Sequence, residues 1–226
     1  MVVIKIGGHL LFNGKGEFRK KYVSSLINVL RKVSAQASDD VVVVVGGGVE
    51  ARRYIKAGRG MNLSESLLDI LGIHVSRLNA ALLFEAYHGV PPVIPTSIQE
   101  TSWLSKVYKP LFMGGLEPGQ STTTVSALVA EALGERLIIA TDVPGIFDSD
   151  PRINPSAKLL SEASISFLKS LFWRSSGAGG YEMLDPLTLN VLERSRIDTI
   201  VVSGDPPENI LRVLLGEKLG TKIVYD

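Results

Sequence analysis

Cysteine is absent from all 226 residues, which removes disulfides, thiolate nucleophiles and cysteine-based zinc sites together. A reducing cytoplasm is the natural setting for such a chain. An excess of one charge is lacking too: 24 Lys plus Arg against 23 Asp plus Glu leave a formal net charge of +1. No general field therefore draws the molecule to nucleic acid or to an anionic membrane, and any anion has to be caught locally. A basic stripe interleaved with aromatics, the usual mark of a nucleic-acid-binding module, is also missing. The opening MVVIKIGGHLL has neither the basic flank nor the long apolar core of a signal peptide. No apolar run approaches the ~20 residues that span a bilayer. Together these absences predict a cytoplasmic protein with neither a nucleic-acid nor a membrane partner.

What is present reads as an ordinary globular chain, 45% hydrophobic and 21% charged, long enough to bury a continuous core. Short β-branched runs alternate with stretches of helical period: VVIKI at 2–6, a helical pattern from Phe18 to Val33, then VVVVV at 41–45. Uninterrupted valine means that both faces of that strand are covered, as in a central parallel strand packed between helices. Ser64 is placed to cap a long helix reaching Tyr87, with Leu67, Leu68, Leu71, Val75, Leu78 and Leu82 as its buried stripe. Further strands are predicted at 92–94, 137–140, 199–202 and 222–224, and helices at 122–133, 186–195 and 206–214. With no linker, low-complexity tract or internal repeat, residues 1–226 form a single domain. The predicted class is α/β, a three-layer αβα sandwich around a mostly parallel sheet.

In such sheets ligands sit beyond the carboxyl ends of the strands, and that is where the glycines gather: Gly7 and Gly8, Gly46 to Gly48, and Gly114 to Gly119 with proline and glycine again at 144–155 and 177–180. Glycine lets backbone approach a ligand, and a following helix start offers unpaired amides and a positive dipole end, which together suit phosphate. GGLEPGQS at 114–121 has P-loop spacing, yet Gln120 stands where that motif needs lysine, and no strand ending in a magnesium-binding Asp accompanies it. It can still hold an anion through backbone amides, with Ser121, Thr122, Thr123 and Thr124 adding hydroxyls. GGGVEA at 46–51 satisfies a dinucleotide fingerprint, but Asp69 lies within a helical pattern rather than at the end of a second strand, which argues against a nicotinamide or flavin enzyme. Positive charge comes from Lys5, inside an apolar strand where a charge needs a partner, and from Arg52 or Arg53, one helical turn beyond the triple glycine, of which Arg52 is the choice for the phosphate zone.

Taken in order, KIGG at 5–8, VVGGGVEARRYI at 44–55, LLDILGIHVSRLNA at 67–80, GGLEPGQSTTT at 114–124, ATDVPGIFDSDPR at 140–152 and YEMLDPLTLNVLERSRI at 181–197 resemble the amino acid kinase superfamily, and within it the uridylate (UMP) kinases of archaeal type. The resemblance implies transfer of the γ-phosphoryl group of ATP to UMP, giving UDP and ADP, with Mg2+ carried by the nucleotide and no metal site of the protein's own. It implies that Lys5 neutralises the transferring group, that Gly7, Gly8 and His9 lie along the ATP phosphates with Gly48 and Arg52, and that Asp185 orients the catalytic lysine. Asp185 is equally placed to cap a helix. Thr141, Phe147 and Asp150 match positions that hold the ATP base and ribose, with Asp142 beside them. On the acceptor side it implies Gly47, Asp69 for the UMP ribose, and the loop of Gly114, Gly115, Leu116, Glu117, Pro118, Gly119, Gln120, Ser121 and Thr122. Residues to about 125 would form the UMP side and those from about 126 the ATP side.

Three positions in two motifs depart from the family's usual pattern. Gly7 and His9 stand where the first loop usually has serine and often a basic residue, and Asp142 stands where archaeal UMP kinases more often carry asparagine and acetylglutamate kinases carry aspartate. The alternatives are a kinase of the same fold for acetylglutamate, carbamate or isopentenyl phosphate, or a nucleotide-binding protein without turnover. A lysine near the C-terminal acidic motif, which acetylglutamate kinases use, is missing from GAGGYEMLDPL, so UMP is the better acceptor. The resemblance also implies a homo-oligomer, a hexamer built from dimers, for which the long apolar helix is the candidate interface element.

Overall fold

The computed structural model describes residues 1–37, 40–151, 153–174 and 184–226. Arg152, the glycine-rich stretch 177–180 and Tyr181 to Met183 of the last motif lie outside the described residues. In chain order the elements are β1 (Val2–Ile6), α1 (Gly8–Leu11), α2 (Lys20–Lys32), β2 (Val41–Val45), α3 (Gly48–Gly60), α4 (Glu65–His88), α5 (Ile98–Leu104) and β3 (Leu111–Met113). Then follow α6 (Thr122–Leu133), β4 (Arg136–Thr141), β5 (Glu162–Ser164), α7 (Ile165–Arg174), α8 (Pro186–Ser195), β6 (Thr199–Ser203), α9 (Glu208–Leu214) and β7 (Thr221–Val224).

One seven-stranded sheet runs in the order β3-β2-β1-β4-β6-β7-β5. All neighbours pair in parallel except β6 with β7, so β1, β2, β3, β4 and β6 end on one common edge. Alternation along β1 decides what each face meets. Val2, Ile4 and Ile6 join a core with Leu26 and Leu30 of α2, Phe84 of α4 and Ile210 of α9. Val3 joins the opposite core with Val42, Val44, Val125 and Val129 of α6, and Leu189 and Leu192 of α8. The result is the predicted helix–sheet–helix sandwich, and Lys5, two residues beyond Val3, belongs to the α6 and α8 face. All of β2 is buried; each such valine contributes about 1.5–3 kcal/mol of transfer free energy.

Caps set the helix ends at the site. Ser121 accepts the Thr124 amide to open α6, and Gly134 closes it in the left-handed conformation. Asp185 accepts the Thr188 amide to open α8, with Pro186 in the first turn. Ser64 sits at the N-cap of α4 without a side-chain hydrogen bond, so its capping is positional only.

Several sequence expectations need correction. Residues 92–94 are not a strand; the edge strand beyond β2 is Leu111–Met113 instead, a run too short to stand out beside the glycine loop that follows it. The buried stripe of α4 is Leu68, Ile73, Val75, Ser76, Asn79, Ala80, Leu83 and Phe84, whereas Leu67, Leu78 and Leu82 are 48%, 70% and 37% exposed. Because α4 is apolar around much of its circumference, its periodicity does not single out the inner face. For the same reason α4 is, by length and composition alone, long and apolar enough to cross a membrane, contrary to the reading that no run approaches that length. In the fold its inner face packs on β2 and β3.

Candidate active site

The loops after β1, β2, β4 and β6 are tied into one rim by backbone hydrogen bonds that continue the ladder: Gly46 N to Ile6 O at 2.9 Å, Gly7 N to Ala140 O at 3.1 Å, and Gly204 N to Thr141 O at 2.7 Å. At the centre the first two loops touch. A Cβ on Gly8 would lie 2.3 Å from Gly46 O and 2.4 Å from Gly48 N, and Gly48 itself has φ +65°. Only glycine fits at either place, and the glycine turns at 7–8 and 46–48 thereby make a single backbone cradle at the starts of α1 and α3.

Behind this cradle lies a cleft of about 160 Å³, lined by Gly47, Gly48, Ala51, Ile55, Asp69, Gly72, Ile73, Ser76, Gly115, Gln120 and Thr122. The structure thus brings together Gly47, Gly48, Asp69, Gly115, Gln120 and Thr122 from the predicted set. Asp69 Oδ2 accepts the Gly119 amide at 2.8 Å, fixing the glycine loop to α4. The remaining loop residues stand differently. Gly114 abuts the backbone of Ser76 and Arg77, Leu116 is in the core, Glu117, Pro118 and Gly119 are exposed, and Ser121 turns toward α8.

Residues the sequence reading passed over hold this cleft in shape. Asn79 Nδ2 donates to Gly46 O at 2.9 Å and Gly47 O at 3.3 Å. Ser76 Oγ accepts the Gly115 amide at 2.8 Å, and Arg77 Nε donates to Gly115 O at 2.9 Å. Their signal was available, since Ser76, Arg77 and Asn79 are polar residues in an otherwise apolar helical run, and a buried polar group needs partners.

Lys5 is only partly exposed, and burial pulls its ammonium down to about 8, against an opposing influence from Asp142. His9 Nε2 stands 3.3 Å from Asp142 Oδ1. Burial holds His9 below its ordinary value, Asp142 opposes this, and Lys5, Arg52 and Arg19 add to it. A pKa held below the usual imidazole value favours the uncharged ring at neutral pH. Arg53 is engaged by Glu50 at 2.7 Å and by the Lys15 carbonyl, and Arg19 by Asp205 at 2.5 Å. Arg52 is exposed, close enough to act on His9, and forms no ion pair among the described residues.

Among the described residues no hydrogen bond or ion pair joins Asp185 to Lys5. Its carboxylate is occupied by Ser121 Oγ at 2.5 Å, Thr124 Oγ1 at 2.9 Å, and Thr188 N and Oγ1 at 2.8 Å. Burial raises its pKa, but the hydrogen bonds from Ser121, Thr188 and Thr124 outweigh this and hold it below the usual carboxylate range. On the far side of the rim Thr141 Oγ1 donates to Asp142 Oδ1 at 3.2 Å, half-buried Phe147 bridges to Leu159, and Asp150 O accepts the amides of Ile153 and Asn154. Thr141 ends β4, and the other three follow it along one loop. No cluster of three His, Asp or Glu that could hold a metal occurs among the described residues; the exposed Asp142 carboxylate is the hard oxygen donor nearest the Lys5 and His9 corner.

The sequence profile of the amino acid kinase family matches residues 1–203. The chain is similar to the uridylate kinase of Thermofilum pendens, 48% identical over 97% of this chain and 95% of that one. It is similar likewise to the uridylate kinase of Hyperthermus butylicus, at 44% over 98% and 97%. Among solved structures it resembles the uridylate kinase of Archaeoglobus fulgidus, with TM-score 0.87, 35% identity and 99% of each chain covered. The UMP kinase of Bacillus anthracis, at 20% identity and TM-score 0.82 over 98% and 94% of the chains, shares the fold.

Proposed function

The chain belongs to the amino acid kinase family, and we propose how it works within it. It is a uridylate kinase: it transfers the γ-phosphoryl group of ATP to UMP, giving UDP and ADP. The observation that carries this reading is the juxtaposition of the cleft beside Asp69 with the Gly8–Gly48 cradle and Lys5. One holds an acceptor, the other a triphosphate.

In this reading the cradle's amides receive the ATP phosphates, and Lys5 and Arg52 offset charge on the transferred group as it passes between donor and acceptor. His9 contributes a hydrogen bond rather than a full charge while it stays neutral. Asp69 receives the ribose hydroxyls on the oxygen that Gly119 leaves free, and Gln120 and Thr122 supply further donors to the acceptor. Thr141, Asp142, Phe147 and Asp150 receive the ATP ribose and base, so residues up to about 125 form the UMP side together with the cradle for the ATP phosphates, and those beyond carry the ATP ribose and base. Magnesium, when bound with the triphosphate, would supply further neutralisation of its charge, and the exposed Asp142 carboxylate beside Lys5 and His9 is a hard oxygen donor that would help to hold it. Catalysis here is positioning plus electrostatics, with no covalent intermediate.

A homo-oligomer is supported by the exposed apolar side of α4, where Leu67, Ile70, Leu78 and Leu82 face outward; a hexamer built from such dimers is the assembly we propose. A cytoplasmic setting is supported by the cysteine-free chain. The test is the initial rate of ADP release from ATP and Mg2+ with UMP, CMP, acetylglutamate, carbamate and isopentenyl phosphate offered separately. Turnover with UMP is expected. Turnover confined to another acceptor would move the doubt to Asp142 and Gly7.

A further inference from the structure

The group of hydroxyls around Asp185 exceeds what capping α8 requires. One accepted amide satisfies a cap, and Thr188 N provides it at 2.8 Å. The carboxylate also receives Ser121 Oγ, which comes from the end of the glycine loop, and Thr124 Oγ1, from the first turn of α6. Ser121 is already in use as the cap of its own helix, accepting the Thr124 amide at 3.0 Å; its proton is thus free to be donated outward, and it goes to Asp185. Thr124 and Thr188 are fully buried and their hydroxyls lie 2.9 Å apart. Two helix N-termini, α6 and α8, therefore meet on one ionised carboxylate, which also answers both positive dipole ends.

This junction lies beside the acceptor cleft. Gln120 and Thr122, the immediate neighbours of Ser121, line that cleft. At its other end the loop is fastened to α4 by Ser76 with Gly115, and in its middle by Asp69 with Gly119. Apart from the Ser121 side chain, the hydrogen bonds described for the stretch between Gly119 and α6 are local to it, Gln120 N to Glu117 O at 3.2 Å and Val125 N to Ser121 O at 2.9 Å.

We propose that Asp185 is a positioning residue for the acceptor, clamping the end of the Gly114–Ser121 loop and the start of α6 to α8 through Ser121, Thr124 and Thr188, rather than an orienting partner of Lys5. The cleft formed by the N-terminal half is thereby held in shape from the C-terminal half. The inference rests on the reading of that cleft as the UMP site.

The test compares the full chain with Ser121→Ala, Ser121→Thr and Asp185→Asn by amide hydrogen exchange of residues 114–124 without nucleotide, and by kcat and KM for UMP across pH. Ser121→Ala leaves the buried carboxylate its Thr124 and Thr188 donors and keeps the fold testable should Asp185→Asn destabilise it. Losing the Ser121 bond is expected to speed exchange in 114–124 by about tenfold, as for a hydrogen bond to a charged group, and to raise KM for UMP several-fold. Ser121→Thr should restore both. The alkaline limb of kcat should stay at the parent's pH in every variant. Unchanged exchange in Ser121→Ala would overturn the clamp. So would faster exchange with unchanged KM, or an alkaline limb moved to lower pH in Asp185→Asn, which is the signature of a lysine partner. Absence of any UMP turnover in the parent would instead sink the kinase reading, while exchange still decides whether the clamp exists.

Discussion

His9 Nε2 lies 3.3 Å from Asp142 Oδ1, so two of the three positions at which the sequence departs from the usual pattern of archaeal UMP kinases face each other across the ends of β1 and β4. Asp142 is 66% exposed and His9 26%, and the buried Nε2 finds no hydrogen-bond partner among the described residues. The same carboxylate is what supports the charge on Lys5. One residue thus biases both Lys5, in β1, and His9, in α1.

The pH dependence of turnover follows. Lys5 acts as a cation, and its pKa in the ligand-free protein is drawn down to about 8 by burial, so kcat/KM should fall as pH rises through about 8 in the parent. Asp142→Asn removes the influence that raises Lys5 and His9, and the descending limb should move to lower pH. A profile of kcat/KM from pH 6 to 10 in both proteins checks this; coincident limbs would mean that Asp142 does not act on Lys5.

Stability should respond in the opposite sense to activity at Lys5. Its folded pKa lies below the ~10.4 of an unfolded lysine, so between the two values the unfolded chain binds more protons and stability rises with pH. The cost of the charged form is present in full below the folded value. Lys5→Met should therefore raise thermal stability at pH 7, by roughly 1–2 kcal/mol, while lowering kcat by about 10²–10³. A scanning calorimetry trace and a rate assay on the same preparation test both halves, and a destabilised variant would mean that Lys5 carries structural bonds not seen here.

Asp69 has two tasks that two substitutions separate. Asp69→Asn keeps an oxygen able to accept the Gly119 amide but loses charge toward the ribose, so KM for UMP should rise several-fold with kcat nearly unchanged. Asp69→Ala releases the loop as well, and KM should rise by about tenfold or more. Equal KM in Asp69→Ala and parent would reduce Asp69 to a surface residue of α4.

The outer face of α4 gives a prediction about assembly. Leu78, 70% exposed, lies in the middle of a helix side that also shows Leu67 and Leu82. Leu78→Glu should shift the protein to a smaller species in light scattering after size-exclusion, without altering its circular dichroism. An unchanged mass would place the contact elsewhere.

Much of this was legible in the sequence. Helices 122–133 and 186–195 match the structure, because Ser121 and Asp185 are strong caps placed before clear apolar runs. The valine strand and the glycine turns placed the rim correctly, since each is a local signal. What the chain did not disclose depends on contacts distant in sequence. The inner face of α4 is decided by what it packs on, β3 hides in three residues, and the partners of Asp185 come from a segment 64 positions away. Asn79 and Ser76 were visible as polar breaks in an apolar helix, but only the fold shows that they fasten Gly46 and Gly115.

The most direct measurement is transfer of label from ATP carrying radioactive γ-phosphate, with Mg2+ and equimolar UMP, CMP, acetylglutamate and isopentenyl phosphate competing in one reaction. The account predicts that label appears in UDP ahead of every other product and is lost in Lys5→Met. Label accumulating on another acceptor, or only as free phosphate, would contradict it.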